Sequence, residues 1–220
     1  MSTIHQRAHD ALLQEIEAEV RETQNLTGCA SLSGRLMQAL RQVPRDAFVP
    51  VHLQDAAYQN VPLPIGHRQT ISQPYIVALM TELIEPQIDQ VVLEIGTGSG
   101  YQAAVLSGLV KHVYSLEVVT PLADEAKERL QRLGYHNVSV RTGDGSLGWP
   151  EHAPYDAIIV TAASHEVPTA LIAQLKPGGV LVMPVGDSRF GQSLRLIRKG
   201  ADGQLVERDV LPVVFVPLTH

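Results

Sequence analysis

The amino-acid sequence predicts an α/β protein whose core is an open, mostly parallel β-sheet. Short apolar runs alternate with helical patterns from residue 73 to residue 183, as in chains that build parallel strands joined by helices. A glycine-rich loop at residues 96–100 directly follows one of these runs. Two further apolar runs, at residues 194–197 and 205–216, have no helical pattern between them. They predict an antiparallel hairpin at one edge of the sheet.

Two amphipathic helices are expected before the sheet begins. The first has one apolar face, opposite a series of glutamates, formed by Leu12, Leu13, Ile16 and Val20. The second is expected to start after Ser33 and to stop at Pro44. Residues 44–70 are rich in proline and glycine, which predicts an ordered loop.

The elements of the core follow from the spacing of apolar residues and turn residues. Ser72 can cap a helix that Pro86 closes, and Thr120 can cap a helix that runs to Gly134. Shorter helices are expected at residues 102–109 and 169–175. Strands are expected at residues 91–95, 113–116, 138–140, 157–160 and 180–183.

Length and composition fit one soluble, intracellular domain. The 220 residues are 45% apolar and 18% charged, which is enough apolar character for a buried core. We divide the domain into an N-terminal helical cap, residues 1–60, and an α/β core, residues 61–220. The chain has a single cysteine, Cys29, and no apolar signal core or membrane span, so we expect a cytoplasmic location and no membrane contact.

The charge and the scattered histidines disfavour two further classes of site, although the charge leaves room for a local basic patch. A formal net charge of −6 disfavours a broad contact with nucleic acid phosphates, so no nucleic acid partner is expected. The nine histidines show no spacing typical of metal ligands, and one cysteine cannot build a thiolate site. The sequence therefore predicts no metal centre.

The loop between the first core strand and the next helix predicts a nucleoside site. Its glycines, Gly96, Gly98 and Gly100, let backbone N–H groups approach a ligand at the start of a helix. Glu117 ends the following strand, where a carboxylate can accept both hydroxyls of a ribose. A plain glycine turn and a solvated carboxylate are the structural alternatives. Tyr101 stands where the dinucleotide fingerprint requires glycine, which disfavours a pyrophosphate ligand and an NAD-dependent dehydrogenase.

Several segments resemble known enzymes. The segment 92–101 resembles motif I of S-adenosylmethionine-dependent methyltransferases. Other segments resemble the protein-L-isoaspartate (D-aspartate) O-methyltransferase family within that superfamily, most specifically Thr-Ile-Ser-Gln-Pro at residues 70–74. These further segments are residues 43–50, 143–145, 155–163 and 216–219. The resemblance runs from about residue 34 to the end. It implies a Rossmann-like, seven-stranded methyltransferase sheet with its last two strands exchanged relative to most methyltransferases.

The resemblance also implies an activity. Such enzymes transfer a methyl group from S-adenosylmethionine to the free α-carboxylate of L-isoaspartyl (or D-aspartyl) residues in damaged proteins and peptides, leaving S-adenosylhomocysteine. The ester then cyclises to a succinimide, which partly reopens to normal aspartate. A monomer is the expected state. Two alternatives stay open: a methyltransferase of this fold with another acceptor, and a non-catalytic S-adenosylmethionine-binding protein.

The matched motifs imply a set of site residues. Ser72 is the catalytic residue, although it could act only as the helix cap. Glu117 would hold the ribose, Glu94 the amino group directly or through a water, and Asp144 the adenine, unless it is only a turn residue. The full cofactor set is Gln69, Thr70, Ile71, Glu94, Gly96, Gly98, Gly100, Glu117, Val118, Asp144, Gly145 and Thr219.

Chemistry on a carboxylate needs few catalytic groups. A carboxylic acid with a pKa of about 4 is ionised at neutral pH, so no general base is required. Alignment of the two reacting centres can supply roughly 7–11 kcal/mol. The Ser72 hydroxyl could donate to one carboxylate oxygen and so direct the other at the methyl group. His67 and Arg68 stand where the family usually has a small residue before Gln-Thr-Ile-Ser, and they could reshape the groove or pair with a substrate carboxylate.

Overall fold

The computed structural model describes residues 3–187 and 189–219, and two helices precede the sheet. They are α1 (Thr3–Thr27) and α2 (Gly34–Gln42). The predicted apolar face of α1 is buried, as is most of the apolar face of α2. Ser33 caps α2 as predicted, because its hydroxyl accepts a hydrogen bond of 3.3 Å from the backbone N–H of Leu36. In the part of the chain that is described, no helix is long and apolar enough to cross a membrane.

Residues 44–70 contain a small hairpin as well as the expected loop. Strands β1 (Leu63–Gly66) and β2 (Gln69–Ile71) pair antiparallel. His67 and Arg68 form the turn with φ values of 50° and 60°, the left-handed conformation typical of two-residue hairpin turns. The prediction of loop alone was wrong here, since these strands are short and one of them contains a proline.

The central part of the chain alternates strand and helix as predicted. The elements in order are α3 (Pro74–Leu83), β3 (Val91–Ile95), α4 (Tyr101–Ser107), β4 (His112–Glu117), α5 (Thr120–Arg132), β5 (Val138–Thr142), β6 (Tyr155–Val160), α6 (Thr169–Gln174), β7 (Leu175–Asp187), β8 (Gly191–Lys199) and β9 (Leu205–Val213). Short 3-10 turns lie at Arg45–Phe48, Val51–Ala56, Gly145–Leu147 and Pro150–His152.

The α/β fold class is confirmed by the sheet topology. Within residues 3–187 and 189–219, seven strands form one sheet in the order β5-β4-β3-β6-β7-β8-β9. The first five strands in this order are parallel, whereas β8 runs antiparallel to β7 and β9 antiparallel to β8. The predicted hairpin at the edge is therefore present. The sequence did not predict that β7 extends to Asp187 and forms a second hairpin with β8.

Two predicted helix caps were wrong. Helix α3 starts at Pro74 and its cap position is Gln73, so Ser72 lies one residue outside the helix cap. Helix α5 already includes Thr120, and its cap position is Val119. In both helices a proline occupies the first turn, where it fixes the backbone angle without a side-chain cap. Ser72 is consequently free of the capping role that the sequence allowed.

The topology determines where a ligand can bind. The chain proceeds from β3 outward to β4 and β5, then returns to place β6 on the other side of β3. This reversal creates a crevice at the carboxyl ends of β3 and β6, the usual ligand position in open α/β sheets. Apolar side chains cover both faces of the sheet, so the crevice is built on a rigid support.

Candidate active site

A cavity lies at the carboxyl ends of β3, β4 and β6, and we call it the glycine-loop cavity. Eight of the residues predicted to bind a cofactor line it, namely Gln69, Thr70, Gly96, Gly98, Glu117, Val118, Gly145 and Thr219. The sequence did not predict a further group of lining residues: Ile95, Leu116, Thr161, Ala162, Val216, Pro217 and Leu218. Several of these end or follow parallel strands, and that position is the signal that could have identified them.

The glycine loop forms one wall of this cavity. Gly96 and Gly98 have φ values of 93° and 52°, a backbone region that other residues rarely adopt. A Cβ atom at Gly96 would lie 2.4 Å from Oγ1 of Thr161, which donates a hydrogen bond of 2.7 Å to the Gly96 carbonyl. Gly100 does not line the cavity, since it precedes α4 and faces Leu130 of α5.

Glu117 presents a fixed carboxylate to the cavity. Its Oε2 accepts a hydrogen bond of 2.8 Å from the Gly98 N–H, and its Oε1 accepts one of 3.0 Å from the Val119 N–H. An ionised carboxylate offers about four acceptor positions, so both oxygens can still accept from a ligand. This arrangement fits the two hydroxyls of a ribose.

Glu94 lies behind the glycine loop, not in the cavity wall. Its side chain has no exposed surface, and its Oε2 accepts a hydrogen bond from Ser115. Ser115 also shares a hydrogen bond of 2.5 Å with Thr97 in the loop. Loss of hydration on burial, together with the nearby charge of Glu117, raises the pKa of Glu94 to about 8 against the hydrogen bond from Ser115. Glu94 would therefore affect a ligand only indirectly, by holding the glycine loop in position through Ser115 and Thr97.

Gly145 lines the same cavity, whereas Asp144, its neighbour in the sequence, is not among the lining residues. Asp144 is the cap of the short turn at Gly145–Leu147, and its Oδ1 accepts hydrogen bonds of 2.8 and 2.7 Å from the N–H and hydroxyl of Ser146. The turn role that the sequence allowed is therefore present. Gly145 lines the cavity, and a Cβ there would lie 2.2 Å from Cγ2 of Ile95.

A second, larger cavity adjoins the first. The two share Thr70, Thr161 and Val216, and the second also includes Ser72. Its walls are mostly apolar. We call this cavity the apolar groove; it is lined by Glu19, Pro62, Thr70, Ser72, Gln73, Tyr75, Ile76, Thr161 and residues 211–216.

Ser72 lies where the two cavities approach each other. A small cleft connects Ser72 and Ile71 with Gly96 and Gly98 of the glycine loop. The hairpin β1–β2 leads into this segment, but neither His67 nor Arg68 is among the lining residues, and both are exposed.

A buried cation holds the backbone of Ser72. Arg45 has no exposed surface and donates to four main-chain carbonyl oxygens, those of Ala57, Gln59, Val61 and Ser72. Burial lowers the pKa of Arg45 to about 10, which leaves the guanidinium charged at neutral pH. No role of Arg45 was expected from the sequence, because its four acceptors lie in two other segments, residues 57–61 and Ser72.

The C-terminal segment, residues 216–219, forms another wall of the glycine-loop cavity. The Ala163 N–H donates a hydrogen bond of 2.8 Å to the Val216 carbonyl, and the Leu218 N–H donates one of 2.7 Å to the Ala163 carbonyl. These bonds fix the segment that carries Thr219 across the end of β6. Residues from opposite ends of the α/β core thus meet at one site.

Comparison with known proteins identifies relatives over most of the chain. The family model described as Protein-L-isoaspartate(D-aspartate) O-methyltransferase (PCMT) matches residues 20–220. Protein-L-isoaspartate O-methyltransferase 2 of Polaromonas sp. strain JS666 is 56% identical over 208 residues, covering 94% of this chain and 99% of that protein. A protein of the same name from Syntrophobacter fumaroxidans is 52% identical over 212 residues, covering 96% of this chain and 86% of that protein.

Solved structures agree with these sequence relatives. A structure named protein-L-isoaspartate O-methyltransferase superposes with a TM-score of 0.82 at 30% identity, covering 96% of this chain and 66% of that one. A beta-aspartate methyltransferase (PCMT) from Plasmodium falciparum, in complex with S-adenosyl-L-homocysteine, superposes with a TM-score of 0.78 at 23% identity and supports the fold alone. The chain therefore belongs to the protein-L-isoaspartate (D-aspartate) O-methyltransferase family.

Proposed function

We propose that this protein is a protein-L-isoaspartate O-methyltransferase. It transfers a methyl group from S-adenosylmethionine to the free α-carboxylate of L-isoaspartyl residues in damaged proteins, which starts their repair through a succinimide. One observation carries this proposal beyond family membership. Ser72, within the family-specific segment 70–74, lies between the glycine-loop cavity and the apolar groove.

The proposed cofactor site is the glycine-loop cavity. S-adenosylmethionine supplies the reactive methyl group from its sulfonium when it is bound. Gly96 and Gly98 line this cavity with backbone alone, and the Glu117 carboxylate in its wall can accept from hydroxyls, so both features fit an adenosyl ligand. Asp144 and Gly145 would hold the adenine, with Glu94 acting through the loop. Gln69, Thr70, Gly98, Val118 and Thr219 are assigned as further residues of its wall, whereas Ile71 and Gly100 would act from the adjoining segments without lining it.

Ser72 orients the acceptor in the proposed mechanism. The substrate carboxylate is already ionised, so no residue has to remove a proton. The Ser72 hydroxyl donates to one carboxylate oxygen and directs the other toward the cofactor cavity, while Arg45 keeps the Ser72 backbone in place. A peptide bound against the apolar walls of the groove would exclude water from the reacting centres, which would strengthen the attraction between the anionic acceptor and the cationic centre.

The molecular context of the activity follows from the same interpretation. We infer a single domain with a helical cap at residues 1–60 and an α/β core at residues 61–220. The expected partners are damaged proteins and peptides with L-isoaspartyl or D-aspartyl residues, and the expected state is a monomer in the cytoplasm. The single cysteine fits such a reducing compartment.

A labelled-methyl assay with matched peptides tests the proposal. The purified protein is incubated with S-adenosylmethionine labelled in its methyl group and with an isoaspartyl peptide or its aspartyl twin. Base-labile label should appear on the isoaspartyl peptide only. Transfer to another acceptor instead, or binding of the cofactor without any transfer, would overturn the assignment.

A further inference from the structure

We propose that Glu19 makes this enzyme select isoaspartyl peptides that carry a basic residue close to the damaged site over peptides that carry an acidic one. The inference rests on the proposed function, since it concerns the same substrate groove. It assigns a substrate class to the site and a specificity role to helix α1, for which the sequence showed no purpose.

Glu19 is the source of charge in an otherwise neutral groove. Among the described residues that line the apolar groove, it is the one Asp, Glu, Lys, Arg or His side chain. It reaches the groove from α1, whereas Ser72 reaches it from the segment before α3. The family match begins at residue 20, so Glu19 lies just outside the segment that the family model describes.

Hydrogen bonds hold the Glu19 carboxylate in a fixed position. Its Oε2 accepts a bond of 2.7 Å from Nδ2 of Asn60, whose Oδ1 in turn accepts from the Tyr75 N–H at 3.0 Å. Nε2 of Gln73, the residue after Ser72, lies 3.3 and 3.4 Å from the two carboxylate oxygens. Glu19 is therefore tied to the same backbone that positions Ser72, and its distance from the reacting centre is fixed.

The carboxylate retains capacity for a cationic group. The one hydrogen bond described for Oε1 is the long contact with Gln73, although a carboxylate oxygen can accept two. No Lys, Arg or His in the described part of the chain forms an ion pair with Glu19. Burial raises the pKa of Glu19 against the hydrogen bonds from Asn60 and Gln73. A substrate lysine or arginine would compensate for this partial loss of hydration.

Repulsion by the Glu19 carboxylate would also disfavour peptides that carry an acidic residue near the damaged site. An acidic side chain of the substrate would place a like charge in a half-buried, mostly apolar groove, where screening by water is reduced. The same repulsion disfavours binding of the reacting α-carboxylate beside Glu19 and favours its position beside Ser72. Glu19 would thus influence both which peptide binds and the register in which it binds.

The test compares three isoaspartyl peptides that differ in one residue near the damaged site, which is Lys, Gln or Glu. The position is varied over the two residues on either side. We expect wild-type kcat/KM to be roughly threefold to tenfold higher for the best-placed Lys peptide than for its Glu counterpart, with a smaller ratio at high salt. Glu19→Gln should bring this ratio close to one. Asp10→Asn, which removes a charge from an exposed position on the same helix, nine residues before Glu19, should keep the wild-type ratio.

The outcomes separate this inference from the proposed function. No methylation of any isoaspartyl peptide would contradict the function itself. Methylation of all of them with equal kcat/KM in the wild type would overturn the role of Glu19, whatever the stability of the variant. A Lys-to-Glu ratio that Glu19→Gln leaves unchanged, or an equal loss of kcat for every peptide, would also overturn it, since the second result indicates a positioning role only.

Discussion

The guanidinium of Arg45 donates a hydrogen bond of 3.1 Å to the main-chain carbonyl of Ser72, 27 residues further along the chain. Arg45 also donates to carbonyls in the segment 57–61 and has no exposed surface. A buried cation is costly unless its donors are satisfied, so these carbonyls and the guanidinium require one another. The position of Ser72 therefore depends on a residue that does not contact either cavity.

We expect Arg45→Lys to lower both stability and turnover. An ammonium group has three donors and no planar fork, so it cannot reproduce the four hydrogen bonds. The free energy of unfolding should fall by about 2–4 kcal/mol, and kcat should fall roughly tenfold or more. Urea unfolding and steady-state kinetics measure these changes. The affinity for S-adenosylhomocysteine should change little, and a variant with wild-type kcat would argue against the positioning role.

Ser72→Ala should separate turnover from folding. Since Ser72 lies outside the α3 cap and Arg45 binds its carbonyl, the hydroxyl is not required for the backbone. Loss of one hydrogen bond to a charged acceptor predicts a decrease in kcat of roughly 10-fold to 100-fold. Calorimetric affinity for S-adenosylhomocysteine and the melting temperature should stay near the wild-type values. An unchanged kcat in the folded variant would remove Ser72 from the mechanism.

Gly96→Ala should weaken cofactor binding through a steric contact. The new Cβ would lie 2.4 Å from Oγ1 of Thr161, in a residue with φ of 93°. Gly203→Ala is a matched control, because Gly203 has a φ of 83° and nothing within 4 Å of its Cβ position. Both variants carry a backbone cost of about 1–2 kcal/mol. We expect a lower affinity for S-adenosylhomocysteine by calorimetry in Gly96→Ala alone; equal losses in both variants would contradict the contact.

The buried Glu94 predicts a pH dependence of stability. Its pKa of about 8 in the folded state exceeds the ordinary value of 4.5, so the folded protein retains a proton that the unfolded chain loses. The stabilisation by Glu94 is fully present below pH 4.5 and is lost as the pH rises toward 8. The free energy of unfolding should therefore fall by up to about 1.4 kcal/mol per pH unit. Glu94→Gln cannot titrate, so its unfolding free energy should gain on the wild type from pH 5 to pH 8. Urea unfolding curves that differ by a constant amount over this range would contradict the prediction.

Local sequence patterns predicted the elements that form the glycine-loop cavity. An apolar run followed by three glycines identified β3 and its loop, and the next strand identified Glu117, because both signals lie within short stretches of sequence. The hairpins β1–β2 and β7–β8 were missed. In the first, Pro64 obscured two very short strands, and in the second the extended run continued past the four residues expected for β7.

Long-range contacts could not be predicted from local patterns. Arg45 acts on Ser72, Thr161 on Gly96 and Glu19 on Gln73, over 27, 65 and 54 residues respectively. No local pattern indicates these partners, and each contact forms only when segments far apart in the sequence pack together. The prediction that Ser72 could cap α3 was wrong for a local reason, since Pro74 already fixes the start of the helix.

The most direct test of whether Ser72 orients the acceptor carboxylate is a structure of the protein with S-adenosylhomocysteine and an isoaspartyl peptide bound together. We predict that the ribose lies beside Glu117 and that one oxygen of the isoaspartyl α-carboxylate lies roughly 2.6–3.2 Å from the Ser72 hydroxyl. The peptide should lie along the apolar groove. A carboxylate bound away from Ser72, or an adenosyl group outside the glycine-loop cavity, would contradict the proposed mechanism.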